Sequence, residues 1–239
     1  MVREPGDPRF RVTAIDAEFS LLGGGVWTLT REGFQGTLIT PRRLQPDELQ
    51  HPGLAGAAVV LSYWLGREAF HAGAFVAHGG AWGVMGPKEA GKTTLLAHLH
   101  LLGVPVVSDD QLIVDSTTLF AMAAPRGLDL RHDSAERLAP EARVVRDGQR
   151  RRILLDPVAP ETPLRGWIRL EKGDDVSITK VTPHKRLHVL SASRTLRRVI
   201  PTDPGALIRL ADVPFYEFKR PHRWGNASAV AEILLDALA

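Results

Sequence analysis

The chain has 239 residues, 44% hydrophobic and 24% charged, with a formal net charge of +3. That balance excludes a disordered or fibrous chain, permits an anionic ligand and gives no argument for a nucleic-acid groove. The sequence contains no cysteine, which excludes disulfides, thiolate zinc sites, iron–sulfur clusters and cysteine nucleophiles.

No apolar run approaches the roughly 20 residues needed to span a bilayer. The opening MVREPGDPRF lacks the apolar core of a secretory signal. A cytoplasmic protein with neither membrane nor nucleic acid as partner is the expectation; a homo-oligomer is left open.

The first fifty residues alternate apolar and polar in short runs such as FRVTAI and VWTLT, with GGG and EGFQG between them. This pattern predicts short antiparallel strands and turns. GLAGAAVVLSYWLGREAF, residues 53–70, is too long for a strand and apolar on most faces, which predicts a buried helix. HAGAFVAHGGAWGVMG reads as strand, Gly-Gly turn, strand, and TTLLAHLHLLG as a helix stopped at Gly103. VPVVSDD is a short buried strand ending in two carboxylates.

Strand-like runs follow between residues 111 and 182: QLIVD, TLFAMA, RRILLD, WIRLEKG and DVSITKV. PHKRLHVLSASRTLRRVI and NASAVAEILLDALA read as helices, with VPFYEFKRP as a strand between them. There is no internal repeat and no clear linker. A single domain over 1–239 is expected, with a β-rich part over 1–52 and the nucleotide-binding core over 53–239.

The segment Gly86-Pro87-Lys88-Glu89-Ala90-Gly91-Lys92-Thr93-Thr94 carries the chemistry. It fits G-x-x-x-x-G-K-[ST], with a strand (81–85) before it and a helix (92–102) after it. Such a loop wraps backbone N–H groups around phosphate oxygens, and the helix N-terminus adds unpaired N–H groups and partial positive charge. Lys92 would reach the β- and γ-phosphates of ATP, and Thr93 would offer its hydroxyl to Mg²⁺. Asp109 and Asp110 follow one helix and one short strand later, where an acidic residue can meet the metal or position a nucleophile.

On these residues the chain resembles the HPr kinase/phosphorylase family, especially short HPr-kinase-related kinases of bacterial biosynthetic clusters, such as lasso-peptide kinases. The resemblance is carried by His71, the loop Gly86–Thr94 and the stretch Gly103–Asp110. AAPRGLDLR, TPLRGWIRL and RLADVPFYEFKRP add weaker matches. It implies an α/β fold: a P-loop-containing mixed sheet of the HPr kinase/phosphoenolpyruvate carboxykinase type with antiparallel additions. It also implies an ATP- and Mg²⁺-dependent kinase acting on a Ser/Thr-type hydroxyl of a peptide or small biosynthetic substrate.

The loop departs from the family at Lys88, Glu89 and Thr93. Thr93 keeps the hydroxyl, whereas Glu89 replaces a glycine and adds negative charge. The E-x-R-G signature of true HPr kinases is met only by ETPLRG, and the chain has no room for their N-terminal domain, so a carrier protein is not the expected acceptor.

The resemblance places His71 beside the carboxylate pair. Asp109 is expected as the base on the acceptor hydroxyl and Asp110 as the Mg²⁺ ligand, an assignment that can be exchanged. Arg165 ranks first for contacts to substrate phosphate or carboxylate, ahead of Arg194 and Arg209. GQRRRIL reads as a solvated strand or turn. His51, His98, His100, His132, His184 and His222 read as surface or packing residues. The alternative function is a nucleotide-binding regulatory or scaffold protein that has lost transfer.

Overall fold

The computed structural model describes residues 11–21, 24–138, 144–221 and 227–239. His222 and the first ten residues lie outside this set. The chain starts with an antiparallel sheet of β1 (Arg11–Val12), β2 (Asp16–Ser20), β3 (Val26–Thr30) and β4 (Gln35–Ile39), paired in that order. A short turn of helix, α1 (Pro46–Glu48), and an irregular coil over Leu49–Gly53 lead into α2 (Ala55–Trp64).

The apolar surface of α2 on most faces has a structural reason. Ala57, Val60 and Trp64 pack on Phe19, Trp27 and Leu29 of the first sheet, while Val59 meets Ala69 and Ile200 of the main body. The helix closes the core of the β-rich part. A boundary at residue 52 therefore cuts through one packed unit, and α2 belongs with the strands before it.

The main sheet begins with β5 (Glu68–Phe70), β6 (Gly73–Ala77) and β7 (Gly80–Met85), and β7 runs through the loop into α3 (Lys92–Leu101). Then come β8 (Val106–Ser108), β9 (Leu112–Asp115) and β10 (Phe120–Met122). A small antiparallel sheet follows: β11 (Gly127–Leu130), α4 (His132–Leu138), β12 (Val144–Asp147) and β13 (Arg151–Leu154). The chain returns to the main sheet with β14 (Glu161–Lys172) and β15 (Ser177–Lys180). It continues through α5 (Pro183–Ser193) and α6 (Pro204–Asp212) to β16 (Phe215–Arg220) and α7 (Ala227–Ala237).

The main sheet runs β5-β9-β10-β14-β7-β6-β8, with β16 beside the later half of β14 and β15 outside it. β7, β14 and β16 are mutually parallel, and the other pairings are antiparallel. The fold is thus α/β with a mixed sheet and antiparallel additions. β7 is buried along its whole length, as its continuous apolar run requires when both sheet faces are covered.

Successive residues of these strands face opposite layers. Val84, Ile168 and Phe218 pack under α3 and α7, whereas Met85, Trp167 and Phe215 meet α5 and α6. Among the described residues no helix is long and apolar enough to cross a membrane.

Candidate nucleotide and phosphoryl-transfer site

Strand direction assembles the site. Parallel β7, β14 and β16 end at one sheet edge, with Met85 level with Arg169 and Lys172 level with Arg220. In open α/β sheets that carboxyl edge is where ligands bind. β6 runs the other way, so its first residue, Gly73, lies level with Val84, and His71 just before it reaches the same edge. β8 pairs antiparallel to β6 and delivers Asp109 and Asp110 there.

The loop has the backbone that a phosphate-binding role would require. A Cβ on Gly86 would lie 2.6 Å from the Leu170 carbonyl oxygen, so only glycine allows β7 to leave the sheet this close to β14. Gly91 stands at φ +87°, left-handed, and caps α3. Ala90 is buried in the core under the loop. The Lys92 ammonium donates to the Gly86 carbonyl at 3.0 Å, across the loop. Burial pushes the Lys92 amine below its ordinary range, while Asp110 and Asp109 hold it up.

Glu89 adopts φ +64°, the conformation that glycine takes at little cost and other residues rarely adopt. Glutamate thus occupies a backbone position suited to glycine. The added charge is met by Arg131, whose guanidinium donates to Glu89 Oε1 at 2.7 Å. That contact holds the Glu89 carboxyl below the usual range.

The carboxylates differ in environment. Asp109 Oδ2 accepts the Asp129 backbone N–H at 3.2 Å, and Oδ1 is enclosed with no hydrogen-bond partner among the described residues. Burial pushes the Asp109 carboxyl up to about 7, opposed by a hydrogen bond from the Thr93 hydroxyl and reinforced by the Asp110 charge. Asp110 is 55% exposed and lies 3.2 Å from His71 Nδ1. The His71 backbone N–H donates to the Ser193 carbonyl at 2.7 Å, which anchors that turn.

Behind Asp109 a second group of charges does the positioning. Arg152 forks onto both oxygens of Asp129, and Arg146 joins it at 3.1 Å. Arg152 also donates to the carbonyls of His51 (2.9 Å) and Asp47 (3.1 Å). The coil after α1 is thereby tied to the residue whose N–H holds Asp109. Burial pushes the His51 imidazole down. The solvated reading of GQRRRIL thus fails at Arg152, whose side chain is 7% exposed.

Arg165 is not part of this arrangement. It lies at the start of β14, level with Ala81 and Trp82, and donates to the His78 carbonyl in the β6–β7 turn. Five residues separate it from Leu170 beside the loop, roughly 16 Å at about 3.3 Å per residue. The resemblance ranked it first for substrate contacts, whereas the strand order puts it toward the opposite end of β14 from the loop. Arg194 is buried against Glu68 at 2.7 Å, and Arg209 bonds Ser116, so both serve the fold. His98 is packed beneath the loop helix against Ser228.

Lys172 and Arg220, at the ends of β14 and β16, reach the loop edge although the sequence singled out neither. Each closes an apolar strand, but only the strand order reveals that those ends adjoin Gly86–Thr94. Among the described residues no three His, Asp or Glu side chains form a cage for a metal. The Thr93 hydroxyl and the two carboxylates offer hard oxygen ligands of the kind Mg²⁺ takes when phosphate and water complete its shell.

No family model matches the chain, and no curated protein does. A solved structure does. It is the HPr(Ser) kinase/phosphatase from Coxiella burnetii, 16% identical, with 71% of this chain and 95% of that chain covered and a TM-score of 0.36. Likeness at that level sets neither substrate nor activity, which are read from the loop and the carboxylates.

Proposed function

We propose that the chain is an ATP- and Mg²⁺-dependent phosphotransferase of the HPr-kinase-like kind, moving the γ-phosphoryl group to the hydroxyl of a peptide or small molecule. The observation that carries this reading is the meeting, at one sheet edge, of a lysine-bearing phosphate loop with two carboxylates of unequal accessibility. Phosphoryl transfer asks little covalent chemistry of a protein; placement and charge do most of the work.

Accessibility favours the exchanged roles for the carboxylates. A base must be reached by the acceptor. Asp110 is open to it and oriented by His71, whereas Asp109 is enclosed beside Thr93. Thr93 and Asp109 would hold Mg²⁺, which when bound offsets charge on the transferring phosphoryl oxygens. Lys92 neutralises the β- and γ-phosphates. Asp110 takes the hydroxyl proton as the acceptor oxygen bonds to γ-phosphorus, and the bond to the bridging oxygen breaks with its electron pair leaving on ADP.

Arg131, bound to Glu89 of the loop, and Arg150, bound to the carbonyl of Asp129, suit an acceptor carrying a carboxylate or phosphate. Glu89 in the loop also fits a binding protein without transfer, but its pairing with Arg131 weakens that reading. Incubation with MgATP and hydroxyl-bearing peptides or metabolites should yield a product about 80 Da heavier, one HPO₃. Asp110→Asn should abolish this gain and keep ATP binding; transfer at the wild-type rate would remove Asp110 from the role. Among acceptors, short Ser-terminated peptides should outcompete HPr, and phosphorylation of HPr alone would restore a carrier-protein acceptor.

A further inference from the structure

Arg220 is 4% exposed, at the end of β16. It follows Phe218 by two residues and so points to the same sheet face, beneath α3. One of its terminal nitrogens donates to the Gly91 carbonyl at 3.2 Å, and its Nε has no partner among the described residues. No carboxylate among the described residues forms an ion pair with it.

A buried charge without a counter-ion is costly. Arginine cannot escape by losing its proton, because its ordinary value lies too far above neutrality. The neighbouring titratable group only sharpens this. His98 lies on the same side of α3, and burial together with Arg220 pushes it toward the neutral form. Its Nε2 also lacks a partner among the described residues. Behind the loop there is therefore a buried positive charge with no carboxylate partner among the described residues, hydrogen-bonded to the residue that caps the phosphate-loop helix.

We propose that Arg220 is a positioning residue for the polyphosphate: its buried charge acts through Gly91 and the start of α3, and the anion bound on the loop is its counter-ion. The inference rests on the nucleotide reading of that loop. It adds a cation that makes no contact with the phosphates and that the loop motif does not contain. Lys92 acts from the front of the loop and Arg220 from behind, where protein and not water lies between the charges and screening is weak. The isolated charge costs the ligand-free fold something and strengthens the liganded one.

The test compares wild type with Arg220→Met, of similar reach without charge, and Arg220→Lys. Calorimetry with MgATP and with tripolyphosphate is run beside thermal unfolding of the ligand-free proteins. Arg220→Met is expected to unfold at the same or a higher temperature than wild type, yet bind both ligands at least tenfold more weakly. Arg220→Lys should recover part of the affinity. Wild-type affinity in Arg220→Met would overturn the proposal. So would a large drop in its ligand-free stability with no recovery in Arg220→Lys, the signature of a purely structural role. If wild type binds neither ligand, the nucleotide reading itself falls and the inference with it, an outcome distinct from the other two.

Discussion

Replacing Arg152 by methionine should unfold more than the strand that carries it. The guanidinium is 7% exposed and forks onto Asp129, and its remaining nitrogen donates to the carbonyls of Asp47 and His51. Removing one partner of a buried ion pair costs about 3–5 kcal/mol. Asp129 keeps Arg146 at 3.1 Å, which points to the lower end, about 3 kcal/mol. For a domain of this size each kcal/mol moves the melting temperature by about 2–4 °C, so a fall of roughly 6–12 °C is expected.

The double variant Arg152→Met/Asp129→Asn should recover part of the loss, with a coupling of at least about 1 kcal/mol in a thermal or urea double-mutant cycle. Because the Asp129 N–H holds Asp109, transfer by Arg152→Met at a permissive temperature should require more Mg²⁺, with kcat largely regained at saturating metal. A melting temperature within 2 °C of wild type, or strict additivity in the cycle, would refute the reasoning.

Asp110→Asn should stop transfer while MgATP still binds, and Asp109→Asn should mainly raise the Mg²⁺ requirement in a metal titration; the opposite pattern would return the carboxylates to their first-expected roles. Glu89→Gly should leave MgATP binding equal or tighter by calorimetry, since glycine takes φ +64° freely and a carboxylate leaves the loop; weaker binding would make the Glu89–Arg131 pair part of the site. Arg194→Met should lower the melting temperature by isolating Glu68 in the interior, whereas Arg165→Ala, far from the loop, should leave MgATP affinity unchanged.

The loop was legible because its determinants are local. Gly86, Gly91 and Lys92 sit at fixed spacing between a buried strand and a helix, and no distant contact is needed to specify that turn. The two Asp were equally plain, one helix and one strand later. Residues whose place depends on strand order were not legible. Arg165 and Lys172 lie on one strand, β14, and only its parallel pairing with β7 sends the first to the far edge and the second to the loop.

Arg152 looked like one of three solvated arginines, because alternation along β13 cannot say which side meets Asp129. Helix α6 did carry a local signal, with Asp203 accepting the Gly205 N–H as N-cap and Pro204 at the first helical position. That signal lay in residues 201–212, between the expected helix and strand, to which the pattern reading assigned no element. For α2, apolar residues on most faces announced burial correctly, but not that one face would close the N-terminal sheet.

The central claim is that Gly86–Thr94 holds the phosphates of a nucleotide with Lys92 as its forward cation. Titration of MgATP into the full chain and into Lys92→Ala, followed by calorimetry, tests it most directly. The account predicts saturable one-site binding in wild type, at least tenfold weakened in Lys92→Ala and abolished when phosphate-free adenosine replaces ATP. No saturable binding to the wild-type chain, or equal affinity in Lys92→Ala, would contradict it.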